Sequence, residues 1–212
     1  MAKLMWAQPG ERLFETGVDR GVFYPQSGVG VAWSGLISVT EAVEGGENAA
    51  YYLDGTKYLN LTEGEDFAGT IEAYGPPPGF AAYDGIASIG SSLFITQQPR
   101  RSFGLSYRTL VGNDTEGVSH GYKIHIVYNV LAAPSEKKHA TLGETVDPLV
   151  LSWPFTTTPV LNGSGRPSAH LVIDSRDIDP EVLEAFEEIL YGTNTTTPQL
   201  PTPGQLKVLL GL

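Results

Sequence analysis

Short runs of alternating apolar and polar residues, each closed by glycine, proline or an acidic turn, dominate the chain and predict strands rather than helices. Residues 21–25 and 29–39 fit that pattern, and Glu44-Gly45-Gly46-Glu47 closes the second run as a turn. Residues 50–53 and 56–59 flank Asp54-Gly55, a pair that accepts positive φ at both positions, so a two-residue type I′ hairpin is expected. Residues 67–74 predict another strand. Gly75-Pro76-Pro77-Pro78-Gly79 ends it, because prolines bring no amide donors to a ladder. Residues 80–101 hold no sustained period and read as a long excursion. A second strand pair follows at 103–111 and 121–131, joined by a polar turn at 112–117. In its second member Tyr122, Ile124, Ile126, Tyr128 and Val130 alternate with Lys123, His125, Val127 and Asn129, predicting opposite faces. Further strands are expected at 149–158 and 168–174, separated by Asn162-Gly163-Ser164-Gly165.

The period changes near the C-terminus. Val182, Leu183, Phe186, Ile189 and Leu190 recur at helical spacing with Glu181, Glu184, Glu187 and Glu188 opposite, predicting an amphipathic helix over 179–191. Asp179 suits the N-cap, Pro180 the first helical position and Gly192 the residue after the end. A Thr/Pro-rich link over 193–203 leads to Gln205-Leu206-Lys207-Val208-Leu209-Leu210, an apolar tail that would form an exposed patch unless docked.

These elements describe a mainly β chain with one C-terminal helix. They read as a single domain over 1–212, with an N-terminal arm at 1–20, a β core at 21–174 carrying the excursion at 75–101, the helix, and a tail at 193–212. The 25 glycines and 15 prolines among 212 residues agree with frequent turns. Folding at this length buries roughly 70–75% of the surface of the unfolded chain, so a core can form without cross-links. The absence of cysteine excludes disulfides, thiol nucleophiles and thiolate metal sites. The apolar run at the N-terminus is too short for a secretory leader, and no stretch approaches the ~20 apolar residues of a membrane helix. Neither a leader nor a helical span is therefore expected, and the Asn-x-Ser/Thr sequons at Asn60, Asn113, Asn162 and Asn194 reflect composition.

Charge narrows the partners. The net charge of −11 opposes duplex binding, which draws its affinity from Lys and Arg on phosphates. Residues 1–75 hold 4 basic and 11 acidic residues, 76–143 hold 6 and 4, and 144–212 hold 3 and 9. The basic middle offers Arg100, Arg101 and Arg108 to an acidic patch on a neighbouring subunit.

Catalytic patterns are sparse. His120, His125, His139 and His170 lack the i, i+4 spacing of a helical zinc site, so no metal and no cofactor is expected. Ser164, His170 and Asp174 can be written as a triad, yet no Gly-x-Ser-x-Gly elbow exposes the serine. The glycines and serines of 85–92 lack the lysine of a phosphate loop. Paired carboxylates of a glycoside hydrolase stay open, since their separation in space is not written in the sequence.

Several stretches carry a family resemblance. Gly10-Glu11-Arg12-Leu13-Phe14-Glu15-Thr16-Gly17-Val18-Asp19-Arg20-Gly21-Val22 resembles the opening of major tail proteins, the tail tube subunits of long-tailed, siphovirus-type phages of actinobacteria. Tyr51-Tyr52-Leu53-Asp54-Gly55-Thr56-Lys57-Tyr58-Leu59-Asn60, Gly121-Tyr122-Lys123-Ile124-His125 and Trp153-Pro154-Phe155-Thr156-Thr157-Thr158-Pro159 are similar to that family. So are Ala169-His170-Leu171-Val172-Ile173-Asp174-Ser175, Ile189-Leu190-Tyr191-Gly192 and Leu200-Pro201-Thr202-Pro203. The similarity runs through nearly the whole chain, with 75–101 matching least, and its motifs are structural.

The resemblance implies a β-sandwich or barrel core with long loops, assembling into hexameric rings that stack as the tail tube, the conduit for DNA ejection. It implies a virion protein without enzymatic activity, assembled in the host cytoplasm and not membrane-bound. Its partners would be its own copies, a tape measure protein, and tail terminator and distal tail proteins, with DNA passing unbound. A lumen lined by carboxylates repels phosphate, which makes Glu63, Glu65, Asp66 and Glu72 lumen candidates. Ring and stacking contacts are expected from the N-terminal segment through Arg12, from 41–50, from 75–101 with Arg100 and Arg101, from Arg108, and from the tail. Two alternatives accompany this reading: a tail terminator or distal tail ring, and, from another class, a carbohydrate-binding or hydrolytic β-sandwich suggested by the acidic, Tyr- and Thr-rich composition.

Overall fold

The computed structural model describes residues 3–26, 28–62, 64–141, 143, 147–161 and 166–211. In chain order the strands are β1 (Phe14–Pro25), β2 (Val31–Ala32), β3 (Leu36–Gly45), β4 (Asn48–Leu53), β5 (Thr56–Thr62) and β6 (Glu65–Ala73). After a 3-10 turn at Phe80–Ala82 come β7 (Ala87–Ile89), β8 (Leu93–Ile95), β9 (Phe103–Asn113), β10 (Gly117–Ala132), β11 (Leu151–Thr156) and β12 (His170–Asp174). Two helices follow, α1 (Pro180–Tyr191) and α2 (Pro203–Leu210).

The main strands run in the order β2-β1-β9-β10-β11-β6-β3, with β12 also paired to β10. All of these pairings are antiparallel. Strand β10 serves both halves of the fold. Its residues 123–127 pair with β12, whereas Leu131 and Ala132 pair with β11. The two halves stack as layers. Phe23, Phe103, Leu105, Tyr107 and Val127 from β1, β9 and β10 pack with Ile71, Ala73, Trp153 and Phe155 from β6 and β11. The sandwich part of the expectation holds and the barrel part does not: the order ends at β2 and β3, and a two-residue β2 offers too few amides to close a ring.

A bulge explains how one strand reaches both layers. Asn129 takes φ 49°, and the β9–β10 register shifts between Val127 and Val130. One extra residue inverts the alternation beyond that point. Val130 therefore joins Val127 in the core between the layers, not the Tyr122 face predicted for it. Ile124, Ile126 and Tyr128 stay on the opposite face, where Phe186, Leu190 and Leu206 of the helices cover them. The molecule thus has three layers: helices, the β1–β9–β10–β12 layer, and the β11–β6–β3 layer.

Other departures from the sequence pattern have local causes. The run at 29–39 divides because Gly35 takes φ +89° in a tight turn, sending β2 to β1 and β3 to β6. Trp33 stays buried at this corner and donates its indole N–H to the Gly75 carbonyl at 3.0 Å. The excursion leaves the ladder at its prolines, as expected, yet it is not structureless. Its 3-10 turn drops Phe80 and Tyr83, three residues apart, into the aromatic core, and β7 and β8 form a small separate hairpin.

The C-terminus carries two helices instead of one. The Asp179 carboxylate accepts from the Glu181 amide at 2.9 Å, so α1 begins where its cap was expected. The apolar tail forms α2 behind a capping box in which Thr202 and Gln205 bond each other's backbone amides. Two buried tyrosines tie this layer down: Tyr24 donates to the Leu190 carbonyl and Tyr128 to the Pro201 carbonyl, each at 2.7 Å.

Candidate assembly surfaces

Strands β4 and β5 pair only with each other, extending the β3–β6 hairpin away from the sandwich. Asp54 and Gly55 at their tip have φ 51° and 74°, the left-handed pair that the turn requires. The arm is unusually apolar for an exposed ribbon. Tyr51, Leu53, Leu59 and Leu61 are exposed, and Tyr52 and Tyr58 are 68% and 75% exposed. Tyr51 faces Leu59 and Ala49 faces Leu61 across the ladder, which forms an apolar stripe along one side. A two-stranded ribbon is marginally stable on its own in water, and a contiguous apolar surface of this kind marks a contact. Leu4, Met5 and Trp6 before β1, and Ile89, Leu93 and Phe94 on β7 and β8, are further exposed apolar groups.

The outer face of the β11–β6–β3 layer is of the opposite character. Ile71 pairs with Val39 and Trp153, and these three face the core, so the alternate positions face outward. Along that outer face Ser38, Thr40, Ala42 and Glu44 lie beside Asp66, Ala68, Thr70 and Glu72, and these beside Ser152, Pro154 and Thr156. No Lys or Arg interrupts the set, and the Ser38 hydroxyl donates to Glu72 at 2.8 Å. Among the predicted lumen residues, Asp66 and Glu72 share this face. Glu65 opposes Gly45 and alternates to the other side, and Glu63 lies outside the described residues.

The four arginines expected at subunit contacts sit in different settings. Arg108 forms a two-pronged pair with Asp19 at 2.7 and 2.6 Å and lies 4.7 Å over the Tyr122 ring. Tyr122 in turn donates to Glu187 of α1 at 2.6 Å, so this arginine helps dock the helix. Arg100 donates to the Ala132 and Asp84 carbonyls at 3.1 and 2.9 Å, and the buried Asp84 carboxylate also receives Lys137. That cluster pins the excursion to the end of β10. Arg101 is exposed. Arg12 is exposed as well, donating to the Ala7 carbonyl with Asp114 3.5 Å away.

Residues far apart in the sequence meet at one further place. Nδ1 of His125 lies 3.1 Å from Nε2 of His170 and 3.1 Å from Oε1 of Glu41. Oε1 of Glu41 also accepts the Tyr107 hydroxyl at 2.6 Å. The hydrogen bonds from His125 and Tyr107 hold the Glu41 carboxyl at about 2, well below the ordinary range, against the opposing effect of burial. Burial lowers the His170 pKa, favouring its neutral form. The Tyr107 ring stacks on His125 at 4.6 Å and Phe67 stacks on His170 at 4.3 Å. The sequence pattern missed this cluster because β3, β10 and β12 are joined only by the topology.

The described residues of the triad and of the phosphate-loop stretch considered from sequence have other partners. His170 faces His125, Asp174 pairs with Arg176 at 2.8 and 2.6 Å, and Ser164 lies outside the described residues. Gly85–Ser92 runs into the β7–β8 hairpin.

No family model matches the chain, and no curated protein matches it. Among solved structures, it superimposes on a chain of the anti-feeding prophage baseplate, determined by cryo-electron microscopy with six-fold symmetrisation. That match has a TM-score of 0.40 at 9% identity, covering 82% of this chain and 97% of the other, and at this level it bears on neither family nor activity.

Proposed function

We propose that this chain is a self-assembling structural subunit of a phage tail tube, in which rings of copies stack into a conduit for DNA. The observation that carries this reading is the β4–β5 arm: Tyr51, Tyr52, Leu53, Tyr58, Leu59 and Leu61 are all exposed on a ribbon projecting from a complete core. Each large apolar side chain left in water forgoes roughly 1.5–3 kcal/mol of burial, which a neighbouring copy would recover. The occupant is a second copy of the chain, because a tube built from one subunit must place such arms against its own repeats. Exposed Arg101 and Arg12 are the proposed polar contacts of the same assembly, and the tape measure, terminator and distal tail proteins its proposed neighbours. Hexameric closure is part of this proposal.

The outer face bearing Glu44, Asp66 and Glu72 is proposed as the lumen wall. Carboxylates repel phosphate and the face offers no Lys or Arg to hold it, so DNA slides past.

Negative-stain electron microscopy of the purified chain over a concentration series tests the assembly. Hollow tubes are expected as concentration rises. Single rings that never stack would replace the tube by a terminator-like or distal ring, and monomers at all concentrations would overturn self-assembly as a property of the chain alone. The lumen assignment has its own test. Tubes of the double variant Asp66→Lys, Glu72→Lys should retain short duplex DNA at low salt and release it as salt rises, whereas wild-type tubes retain none. Equal behaviour of the two would move the lumen to another face.

A further inference from the structure

The partners around His125 turn one of its ring nitrogens toward a cluster of metal-ligating groups. The Thr109 hydroxyl lies 2.6 Å from Oε1 of Glu15 and 3.0 Å from Nε2 of His125. A carboxylate can only accept, so the hydroxyl's single proton goes to Glu15 and its lone pair faces Nε2. Glu15 is kept ionised by Lys123, whose ammonium donates to it at 2.6 Å. Nε2 of His125 is thus placed to donate to Thr109, and Nδ1 is the ring nitrogen that faces Glu41 and His170. Nδ1 lies 3.1 Å from Oε1 of Glu41, an atom that also accepts from Tyr107. A cation seated between Nδ1 and Oε1 would take the place of the proton that joins them.

We propose that Glu41, His125 and His170 form a binding site for a borderline divalent cation of the zinc type. The ligand atoms of the three residues all lie within 4.8 Å of one another, and the two Nδ1 separations are 3.1 Å. Atoms bound to one tetrahedral ion at about 2.0–2.1 Å stand about 3.3 Å apart, so small side-chain movements bring the set to coordination distance. Two imidazoles and one carboxylate are the donor set that zinc accepts while leaving a fourth position to water. The supporting shell is already present. His125 passes its other N–H through Thr109 to Glu15 and Lys123, and Glu41 is oriented by Tyr107. His125 is 5% exposed, between the stacked ring of Tyr107 and the ring of His170.

Glu41 belongs to β3, whereas His125 and His170 belong to β10 and β12. The ion therefore ties together the two stacked sheet layers at the strand that leads into the arm. This inference is independent of the tail tube reading.

The test uses the full chain without an affinity tag, stripped by a chelator and titrated with Zn²⁺ against a chromophoric competitor. One Zn²⁺ per chain is expected, with a higher unfolding temperature on binding. Glu41→Gln and His170→Gln should each weaken binding by at least about tenfold, while His120→Gln, altering a histidine paired outside the site with Glu116, should leave it unchanged. Should either site variant fail to fold, histidine ring nitrogen resonances of the wild-type chain decide the matter. Zn²⁺ is expected to shift two of the four rings, those of His125 and His170. Absence of stoichiometric binding, equal binding by the site variants, or shifts confined to His120 or His139 would overturn the site.

Discussion

Replacing residues 46–64 by Asn-Gly, which joins β3 to β6 through a two-residue turn, should give a folded chain that no longer assembles. The fold should survive because β4 and β5 pair with nothing but each other, and all but one of their side chains are exposed. Gly45 and Glu65 already face each other at the end of the longer ladder, so the new turn continues an existing register. Circular dichroism and the unfolding midpoint should match those of the parent. Assembly should not. Even two Tyr or Leu side chains left unburied remove roughly 3–6 kcal/mol of contact free energy, which raises the concentration needed for assembly by about 10²–10⁴. Electron microscopy and sedimentation velocity check this, and tubes forming at the parental concentration would locate assembly elsewhere.

Phe80→Ala should produce the largest loss of stability from a single residue, although the residue lies in a 3-10 turn outside the sandwich strands. Its ring lies 5.3 Å from Phe23, 5.0 Å from Trp33, 5.4 Å from Phe103 and 5.4 Å from Trp153, so it closes the end of the core between the layers. Truncating a buried Phe costs about 3–5 kcal/mol, through lost burial and the cavity that follows. Against a total of about 5–15 kcal/mol, that is about a fifth or more of the stability of a typical domain. Guanidinium unfolding should show the loss as a shifted midpoint at unchanged slope. A change below about 1 kcal/mol would mean that the excursion folds separately from the core.

These two segments also show where sequence reading succeeds and stops. The arm's turn was legible because Asp54-Gly55 states its own backbone geometry, and α1 because its period and its Asp179 cap are local. The role of Phe80 was not, since two aromatics in a short stretch beside glycines and prolines set no sustained period, and only the placement of Trp33 and Trp153 from distant strands makes it central. Val130 was assigned to the wrong face for a related reason. Alternation counts correctly until an Asn takes a positive φ, and nothing in the neighbouring residues announces that Asn129 does so. The outer face of Ser, Thr and carboxylate residues was half legible. Strand period alone separates Asp66 and Glu72 from Glu65, but knowing which set faces outward required the pairing with β3 and β11. The Glu41–His125–His170 cluster lay beyond reach, as its members are brought together by pairings that span 45 residues or more.

Where the arm leaves β3, Gly45 and Gly46 take φ +81° and +73°, and a Cβ on Gly45 would stand 2.6 Å from the Gly64 carbonyl oxygen. Side chains are thereby excluded from the base of the arm, and the ribbon meets the body at a joint of bare backbone. In a stack of copies joined through such arms, curvature can be absorbed at this joint while the apolar contacts slide little. The bending stiffness of the filament would then be set by a glycine pair inside each subunit, and Gly45→Ala would alter how the filament flexes before it alters how tightly it holds.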